Sequence, residues 1–374
     1  MSKARDLADL GAVTSRLDTV GASDGALSNR NMVINGGMVI DQRNNGSSIT
    51  PTAWAYSVDR FRAEIGQPSK ITVEQNAGSV TPPNGFSHYL GVTSTSAYTP
   101  LTGDYFYINT QIEGYNSAQL GWGASGAKDA TLSFWVRSSL TGTHSGALRN
   151  GNSTRSYPFT FTVSSSNTWE YITIIVSGDT SGTWATDNTS GIQLSFSLGG
   201  GTTYRGTAGA WASADYRAGV TGAVDIVGTN GATLYLTGVQ LEVGDTATPF
   251  EHRSYGDELA RCKRYYESSN RNITNDANTD RIAYLSYSTY STSEAYCTYY
   301  YEVEKRAQPT ITHGSSNWRI YQNAALISTS GAGNSDGIGI RNFSLYLTGP
   351  TFDVSEGGMA DYRQFDGIKI DAEL

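Results

Sequence analysis

The chain has 374 residues, and only 16% of them are charged, compared with roughly 25% in ordinary soluble domains. The formal net charge is −8 and the 26 basic residues are scattered, which argues against a nucleic-acid partner. The 42 glycines and 24 tyrosines exclude a disordered chain or a helical bundle and favour an all-β protein. No apolar run is long enough to span a bilayer, so we expect no membrane insertion.

The first predicted element is a short amphipathic helix over residues 4–20. Leu10, Val13, Leu17 and Val20 follow the spacing of a heptad seam. A helix of little more than two heptads is marginal alone, so it would bundle with other copies or dock onto a larger body. A frayed helix packed on its own chain is the alternative. We assign residues 1–29 to this helix and a Gly-rich linker.

Short strands separated by Gly, Ser, Thr and Asn breaks follow over residues 30–255. About eight to ten strands in this stretch favour one large β-sandwich. The predicted strands are Met32–Ile34 and Met38–Ile40 around Asn35–Gly37, Phe61–Ile65, Thr131–Arg137, Phe159–Val163, Trp169–Val176, Ile192–Leu198 and Thr233–Val243.

Residues 256–267 are predicted to form a linker helix, and residues 268–374 a C-terminal β domain. About half of the tyrosines lie after Arg264, and segments such as Tyr296–Val303 alternate in polarity. Cys262 and Cys297 belong to no C-x-x-C pair, which excludes a zinc or thioredoxin-like motif. Two buried free thiols are favoured, while a disulfide between them stays open.

Catalytic motifs are absent or in the wrong context, so no enzyme activity, catalytic residue or cofactor is predicted. Gly21–Gly25 fits G-x-S-x-G, but a helix precedes it and a strand follows, the reverse of a nucleophile elbow. Asp276, Asn278 and Asp280 resemble the start of an EF-hand loop that lacks its glycine and its final glutamate. The four histidines are dispersed. A structural calcium ion held by loop carbonyls stays open.

Aromatic side chains are the remaining candidates for binding. Sugars present apolar C–H faces, which suit flat rings with polar neighbours. Core packing and subunit interfaces compete for the same residues, and Trp135 and Trp169 fall in strand patterns typical of core positions. The candidate carbohydrate contacts are Trp54, Trp122, Trp184 and Trp211 in the sandwich and Tyr287, Tyr290, Tyr300 and Trp318 in the C-terminal domain.

Several segments together resemble the tail fibre and receptor-binding virion proteins of tailed bacteriophages. Val58–Arg62 is similar to a strand of these proteins in which a tryptophan usually replaces Phe61. The resemblance covers roughly residues 15–310. The segments that carry it are Leu17–Gly25, Asn29–Gly36, Val58–Arg62, Leu132–Ser138, Gly178–Trp184 and, most specifically, Leu234–Glu267.

The resemblance implies a sandwich similar to the jelly-roll of carbohydrate-binding modules. It also implies a homotrimer whose N-terminal residues Leu10, Val13, Leu17 and Val20 trimerise the chain and anchor it to a virion tail or baseplate protein. The C-terminal domain would point toward the host as a tip. Such a protein is assembled in the host cytoplasm and resides in the virion.

The function we expect is multivalent, non-covalent attachment to a host-surface glycan, lipopolysaccharide or capsule. Two alternatives stay open. The first is a purely structural virion appendage, a baseplate, neck or head fibre that supports another adhesin. The second, disfavoured because no carboxylate pair stands out, is a glycan-cleaving depolymerase.

Overall fold

The computed structural model describes residues 29–269, 283–313, 318–323, 325–348, 350–354, 356–362 and 368–374. The chain divides into two compact units, Met1–Ser254 and Tyr255–Leu374. The predicted N-terminal helix, with Leu10, Val13, Leu17 and Val20, lies outside the described residues.

The described part of the first unit contains eleven strands, one short helix and several 3₁₀ turns, which confirms the all-β prediction. The helix α1 is Gly114–Ser117, and 3₁₀ turns cover Ala77–Ser79, Ala118–Leu120, Thr202–Tyr204 and Ile226–Gly228. The strands are β1 Trp54–Val58, β2 Phe61–Ile65, β3 Ile71–Gln75, β4 Leu90–Ser94, β5 Tyr105–Glu113, β6 Ala130–Ser138, β7 Gly142–Asn150, β8 Ser156–Val163, β9 Glu170–Val176, β10 Ser190–Gly200 and β11 Thr233–Val243.

The strands form two antiparallel sheets with jelly-roll connectivity. One sheet has the order β1-β2-β5-β10-β7-β8 and the other β3-β4-β11-β6-β9. The pairs β4/β11, β5/β10, β6/β9 and β7/β8 are nested hairpin-like ribbons that cross repeatedly between the sheets. This nesting defines a jelly roll, to which β1, β2 and β3 add extra strands.

The core lies between the two sheets and follows from strand periodicity. On β5, Phe106, Ile108 and Ile112 are buried in it, while Tyr107 and Asn109 stand on the opposite, outer face. The six-stranded sheet therefore carries polar and aromatic side chains on its outer face, and this face is relevant to function.

The 32-residue connection between β10 and β11, residues 201–232, which we call the strap, lies on part of that outer face. It pairs with the edge strand β8, since Ser156 and Ala212 exchange backbone hydrogen bonds of 3.0 and 2.8 Å. Farther along, Val220 N donates to Ser145 Oγ at 3.1 Å and Ser195 Oγ donates to Arg217 O at 3.0 Å. The strap thus seals the β7, β8 and β10 side. It also reaches β5, where Tyr204 and Arg217 lie 5.5 and 5.3 Å from the Tyr105 ring.

The predicted strands Met32–Ile34 and Met38–Ile40 are absent, because residues 29–40 run as turns and irregular chain. Asn35 and Met38 have φ values of 60° and 58°, which a strand cannot accommodate. The Asn35 amide donates to Ile40 O and Asp59 O, both at 2.8 Å, and its oxygen accepts from Ile40 N at 3.0 Å. Side-chain hydrogen bonds therefore replace the expected sheet ladder.

The same segment is fastened to β11 and to the residues after it. Asn31 Nδ2 donates to Val239 O at 3.1 Å, and Asn31 Oδ1 accepts from Leu241 N at 3.1 Å. Glu251 accepts from Asn31 N at 2.9 Å. A Cβ at Gly36 would lie 2.1 Å from Val239 O, so only glycine permits this approach. We call Asn31, Asn35, Gly36, Asp59 and Glu251 the clasp.

The second unit begins with helix α2, Tyr255–Lys263. Residues 266 and 267, at the end of the predicted linker helix, instead belong to a strand. The strands of the unit are β12 Tyr266–Ser268, β13 Ala283–Ser291, β14 Glu294–Tyr300, β15 Thr310–Thr312, β16 Trp318–Gln322, β17 Ala325–Asp336, β18 Asn342–Thr348, β19 Gly358–Tyr362 and β20 Lys369–Asp371.

Six of these strands close into a barrel in the order β13-β14-β18-β17-β16-β19, and β12-β20-β15 form a small sheet. The predicted alternation of Tyr296–Val303 holds in β14, where Cys297 and Tyr299 face the core. Cys262 and Cys297 are both buried thiols that form no disulfide with each other, as the sequence favoured. Burial raises the pKa of the Cys297 thiol to about 12, so this thiol is unreactive at neutral pH. No helix in the described ranges is long and apolar enough to cross a membrane.

Candidate functional site

The outer face of the six-stranded sheet carries an exposed tryptophan at its β1 edge. Trp54 begins the edge strand β1 and is 64% exposed. Cross-strand register places it opposite Glu64 on β2, and Glu64 in turn opposite Tyr107 on β5. Because directly paired residues share a face, the row Trp54–Glu64–Tyr107 crosses three strands on the outside of the sandwich.

A second row runs beside the first. Tyr56 on β1 pairs with Arg62 on β2, and Arg62 pairs with Asn109 on β5. The Arg62 guanidinium lies 5.6 Å from the Trp54 ring centroid and 5.9 Å from that of Tyr56. The Arg43 guanidinium covers the Tyr56 ring at 4.3 Å. Such cation–π contacts hold the planar groups in fixed orientations. We call Trp54, Tyr56, Arg62 and Glu64 the Trp54 face.

The Glu64 carboxylate is the centre of a hydrogen-bond network. Its Oε1 accepts from Arg62 Nε and Asn109 Nδ2, both at 2.8 Å, and its Oε2 accepts from Tyr107 Oη at 2.5 Å. A carboxylate offers about four lone-pair positions, so three donors leave room for one more. The network holds the carboxylate rigid while a ligand hydroxyl could still donate to it.

The charge state of Glu64 follows from these contacts. Burial by itself would raise the pKa of the carboxyl, but the Arg62 charge and the hydrogen bonds from Tyr107 and Asn109 together hold that pKa below its ordinary value. A lowered pKa keeps Glu64 ionised through the neutral and mildly acidic range. Glu64 is therefore a hydrogen-bond acceptor there and a poor general acid.

The other three candidate tryptophans of the sandwich come together in one cluster, which we call the tryptophan triad. Trp122 follows β5, Trp184 follows β9 and Trp211 lies in the strap. Their ring centroids are 4.8 Å (Trp122–Trp184), 5.1 Å (Trp122–Trp211) and 5.3 Å (Trp184–Trp211) apart, all edge to face. Three segments distant in sequence are thus joined through three mutual ring contacts.

Each indole N–H of the triad is already used within the protein. Trp122 donates to Lys128 O at 2.7 Å, Trp184 to Ser181 O at 3.1 Å and Trp211 to Ser177 O at 2.7 Å. Beside the cluster, Arg155 and Asp179 form an ion pair of 2.6 Å. The triad has the contacts of a packing element that fastens the strap to the loops of the sandwich.

No model of a known protein family matches the sequence, and no curated protein matches it. Among solved structures, the chain is similar to the enzymatically active domain of tailspike protein 4 from bacteriophage CBA120, at 11% identity and a TM-score of 0.28. That match covers 57% of this chain and 21% of the other.

A putative sugar binding protein from Bacteroides thetaiotaomicron matches 57% of this chain over 100% of its own, at 10% identity and a TM-score of 0.33. The family 11 carbohydrate-binding module from Clostridium thermocellum, in complex with a β-1,3-1,4-mixed-linked tetrasaccharide, matches 53% of this chain and 97% of its own. Its identity is 11% and its TM-score 0.26. At such scores these similarities carry no argument about function, which depends on the contacts of this chain.

The candidates in the second unit occupy different environments. Tyr287 is buried in the barrel core, where its hydroxyl donates to Tyr321 O at 3.0 Å. Tyr290 and Tyr300 are exposed. Trp318 begins β16, and its side chain lies outside the described part of the structure. Within the described residues, no group of three or more His, Cys, Asp or Glu side chains is placed to hold a metal ion.

Tyr56, Arg62, Glu64, Tyr107 and Asn109 belong to the site around Trp54 but were not among the sequence candidates. The sequence did indicate the outward orientation of two of them, because Arg62 and Glu64 are the polar residues of the alternating strand Phe61–Ile65. Tyr107 and Asn109 on β5 lie more than 40 residues along the chain from their partners on β2. A local sequence pattern does not reveal strand pairing at that separation.

Proposed function

We propose that the chain is a non-catalytic glycan-binding protein and that the Trp54 face is its binding site. The observation that carries the proposal is the exposed Trp54 ring beside a preorganised carboxylate and guanidinium. The ring offers an apolar surface to the C–H face of a sugar, and Glu64 and Arg62 offer an acceptor and donors to its hydroxyls.

The lowered pKa of Glu64 supports binding over hydrolysis. Glycosidases need one carboxyl group whose pKa is raised so that it can protonate the leaving oxygen. Glu64 is shifted in the opposite direction because its charged form is the one that Arg62, Tyr107 and Asn109 stabilise.

At the finer level, we propose a tail fibre that attaches a virion to lipopolysaccharide or capsule. The segments that resemble phage fibre proteins support this role, as does the heptad seam of Leu10, Val13, Leu17 and Val20. Three copies on one axis would present three Trp54 faces, and multivalency would compensate for weak single sites. The N-terminus would join the tail or baseplate, and the protein would reside in the virion after assembly in the host cytoplasm.

Trp54→Ala is expected to weaken glycan binding without unfolding the protein. The full chain is applied to an array of purified bacterial lipopolysaccharides and capsular polysaccharides, and the tightest ligand is then titrated calorimetrically. We expect at least a tenfold loss of affinity, about 1.4 kcal/mol. Tyr115→Ala is the matched control, since Tyr115 is 63% exposed and lies on α1, which carries none of the residues of the Trp54 face.

Equal affinities of Trp54→Ala and the wild type would refute the Trp54 face as the binding site. If no polysaccharide on the array binds the wild type, the chain is a structural appendage that supports another adhesin. Shortened polysaccharide after incubation would instead identify a depolymerase.

A further inference from the structure

The outer surface of the barrel in the second unit carries exposed tyrosines that the core does not use. Along β14, Ala295 and Cys297 point inward, while Tyr296 and Tyr300 point outward. Tyr290 on β13 and Tyr300 are 74% and 71% exposed. Because folding removes little of the surface of these rings from water, they contribute little to the stability of the fold. They are therefore candidates for binding.

Three of the rings are contiguous, and we call Tyr290, Tyr296 and Tyr346 the tyrosine ladder. Tyr346 on β18 pairs directly with Tyr296, and their ring centroids lie 5.2 Å apart. Tyr290 meets Tyr296 at 5.8 Å and 90°. The register of β13 against β14 shifts between Thr289 and Ser291, so Tyr290 occupies a β-bulge. Bulges re-aim single side chains and are common beside functional sites.

The charges around the ladder are negative. Glu294 Oε1 accepts from Tyr346 Oη at 2.5 Å, and this bond is the main reason that the pKa of Tyr346 rises to about 12. The pKa of Tyr296 is also raised, first by burial and then by the charges of Glu294 and Asp336. Within the described part of the barrel, no lysine or arginine side chain stacks on these three rings. A cation is therefore the complementary group for the ladder.

Hydroxyl groups continue the same outer surface beyond the ladder. Thr298 pairs with Ser344, and Tyr300 pairs with Asn342, both on the strands that carry Tyr296 and Tyr346. Rings followed by short hydroxyl and amide side chains along a sheet suit a chain of sugars, whose apolar faces and hydroxyls alternate with them.

We propose that the tyrosine ladder is a second binding site, specific for glycans with protonated amino groups. The ammonium group would lie against the rings near the carboxylates of Glu294 and Asp336. The hydroxyl rows would contact the neighbouring sugar residues. A second copy of this surface or an anionic polysaccharide would bring negative charge against Glu294 and Asp336, which disfavours both as occupants.

The test compares two probes by calorimetry on the full chain. They share a sugar backbone and differ at the amino group, which can be protonated in the hexamer of glucosamine and is a neutral acetamide in the hexamer of N-acetylglucosamine. We expect the amine form to bind at least tenfold tighter and to lose affinity as salt is added. The variant E294Q/D336N should abolish this preference. The glutamine at position 294 still offers an acceptor to the Tyr346 hydroxyl, so the variant removes the charge and keeps this hydrogen bond. Tyr290→Ala should weaken the amine form and leave the fold intact, because Tyr290 is exposed.

Three results would overturn the proposal. They are equal binding of the two hexamers, an unchanged preference in E294Q/D336N, and pentalysine binding as tight as the glucosamine hexamer with no effect of Tyr290→Ala. Trp54→Ala is the control that separates the two sites. It should leave glucosamine binding unchanged, so failure of one site does not imply failure of the other.

Discussion

Trp122→Ala is expected to lower the free energy of unfolding of the first unit by about 3–5 kcal/mol. Trp122 is 8% exposed and lies at the point where Trp184 and Trp211 meet. The truncation would create a cavity, remove two edge-to-face ring contacts and leave Lys128 O without its indole donor. The strap would lose its fastening at Trp211.

The measurement is urea unfolding of the full chain. Trp54→Ala is the control, because it removes the same side chain from an exposed position and should shift stability by no more than about 0.5 kcal/mol. Similar losses in the two variants would contradict the assignment of the triad to packing. A Trp184→Ala or Trp211→Ala variant that loses glycan binding at unchanged stability would contradict it as well.

Lys305→Met is expected to destabilise the second unit by about 3–5 kcal/mol. Lys305 and Glu267 form a buried pair of 2.6 Å whose side chains are 0% and 2% exposed. Lys305 Nζ also donates to Lys263 O, and Glu267 accepts from Glu302 N at 3.2 Å. Removing the lysine leaves an ionised carboxylate buried without its cation, which accounts for most of the cost.

The matched control is Arg341→Met in the Arg341–Glu304 pair, whose side chains are 73% and 44% exposed. An exposed pair contributes at most about 1 kcal/mol. Hydrogen exchange of β12, Tyr266–Ser268, reports on the second unit separately from the sandwich. The double variant K305M/E267L should recover much of the loss, since apolar replacement of both partners is often neutral. Equal effects of Lys305→Met and Arg341→Met would contradict this account.

Strands whose apolar and polar side chains alternate were predictable from sequence, although β10 and β11 are buried on both faces. Thr233–Val243 matches β11 at both ends, and Ile192–Leu198 lies inside β10. Strand β7, which lacks this alternation, was missed. On β7, Gly146 and Ala147 are small because the neighbouring chains approach closely, and a Cβ on Gly146 would meet Ser195 O at 2.3 Å. Tertiary packing, and not local propensity, selects those residues.

The site was predictable only in part for the same reason. Trp54 was among the sequence candidates because the sequence placed it in a loop of Gly, Ser, Ala and Thr residues, whereas the structure places it at the start of β1. Its partners Tyr107 and Asn109 become neighbours only through the β2–β5 pairing. The sequence placed Trp122, Trp184 and Trp211 in loops of the same composition. In the structure these three rings contact one another and donate their N–H groups to backbone carbonyls, which no local sequence pattern reveals.

The residues that carry the resemblance to phage fibres have a structural explanation. Asn31, Asn35 and Gly36 in one segment, Asp59 in another and Glu251 in a third meet in the clasp. These residues stabilise the fold. The motif is therefore more direct evidence for a jelly roll than for the identity of any ligand.

The most direct test of the central claim is hydroxyl-radical footprinting of the full chain, free and bound to the tightest polysaccharide from the array. We predict that binding protects Trp54, while Tyr115 and Leu101, both exposed elsewhere on the sandwich, are modified at unchanged rates. Unchanged modification of Trp54 at saturating polysaccharide would contradict the assignment of glycan binding to the Trp54 face.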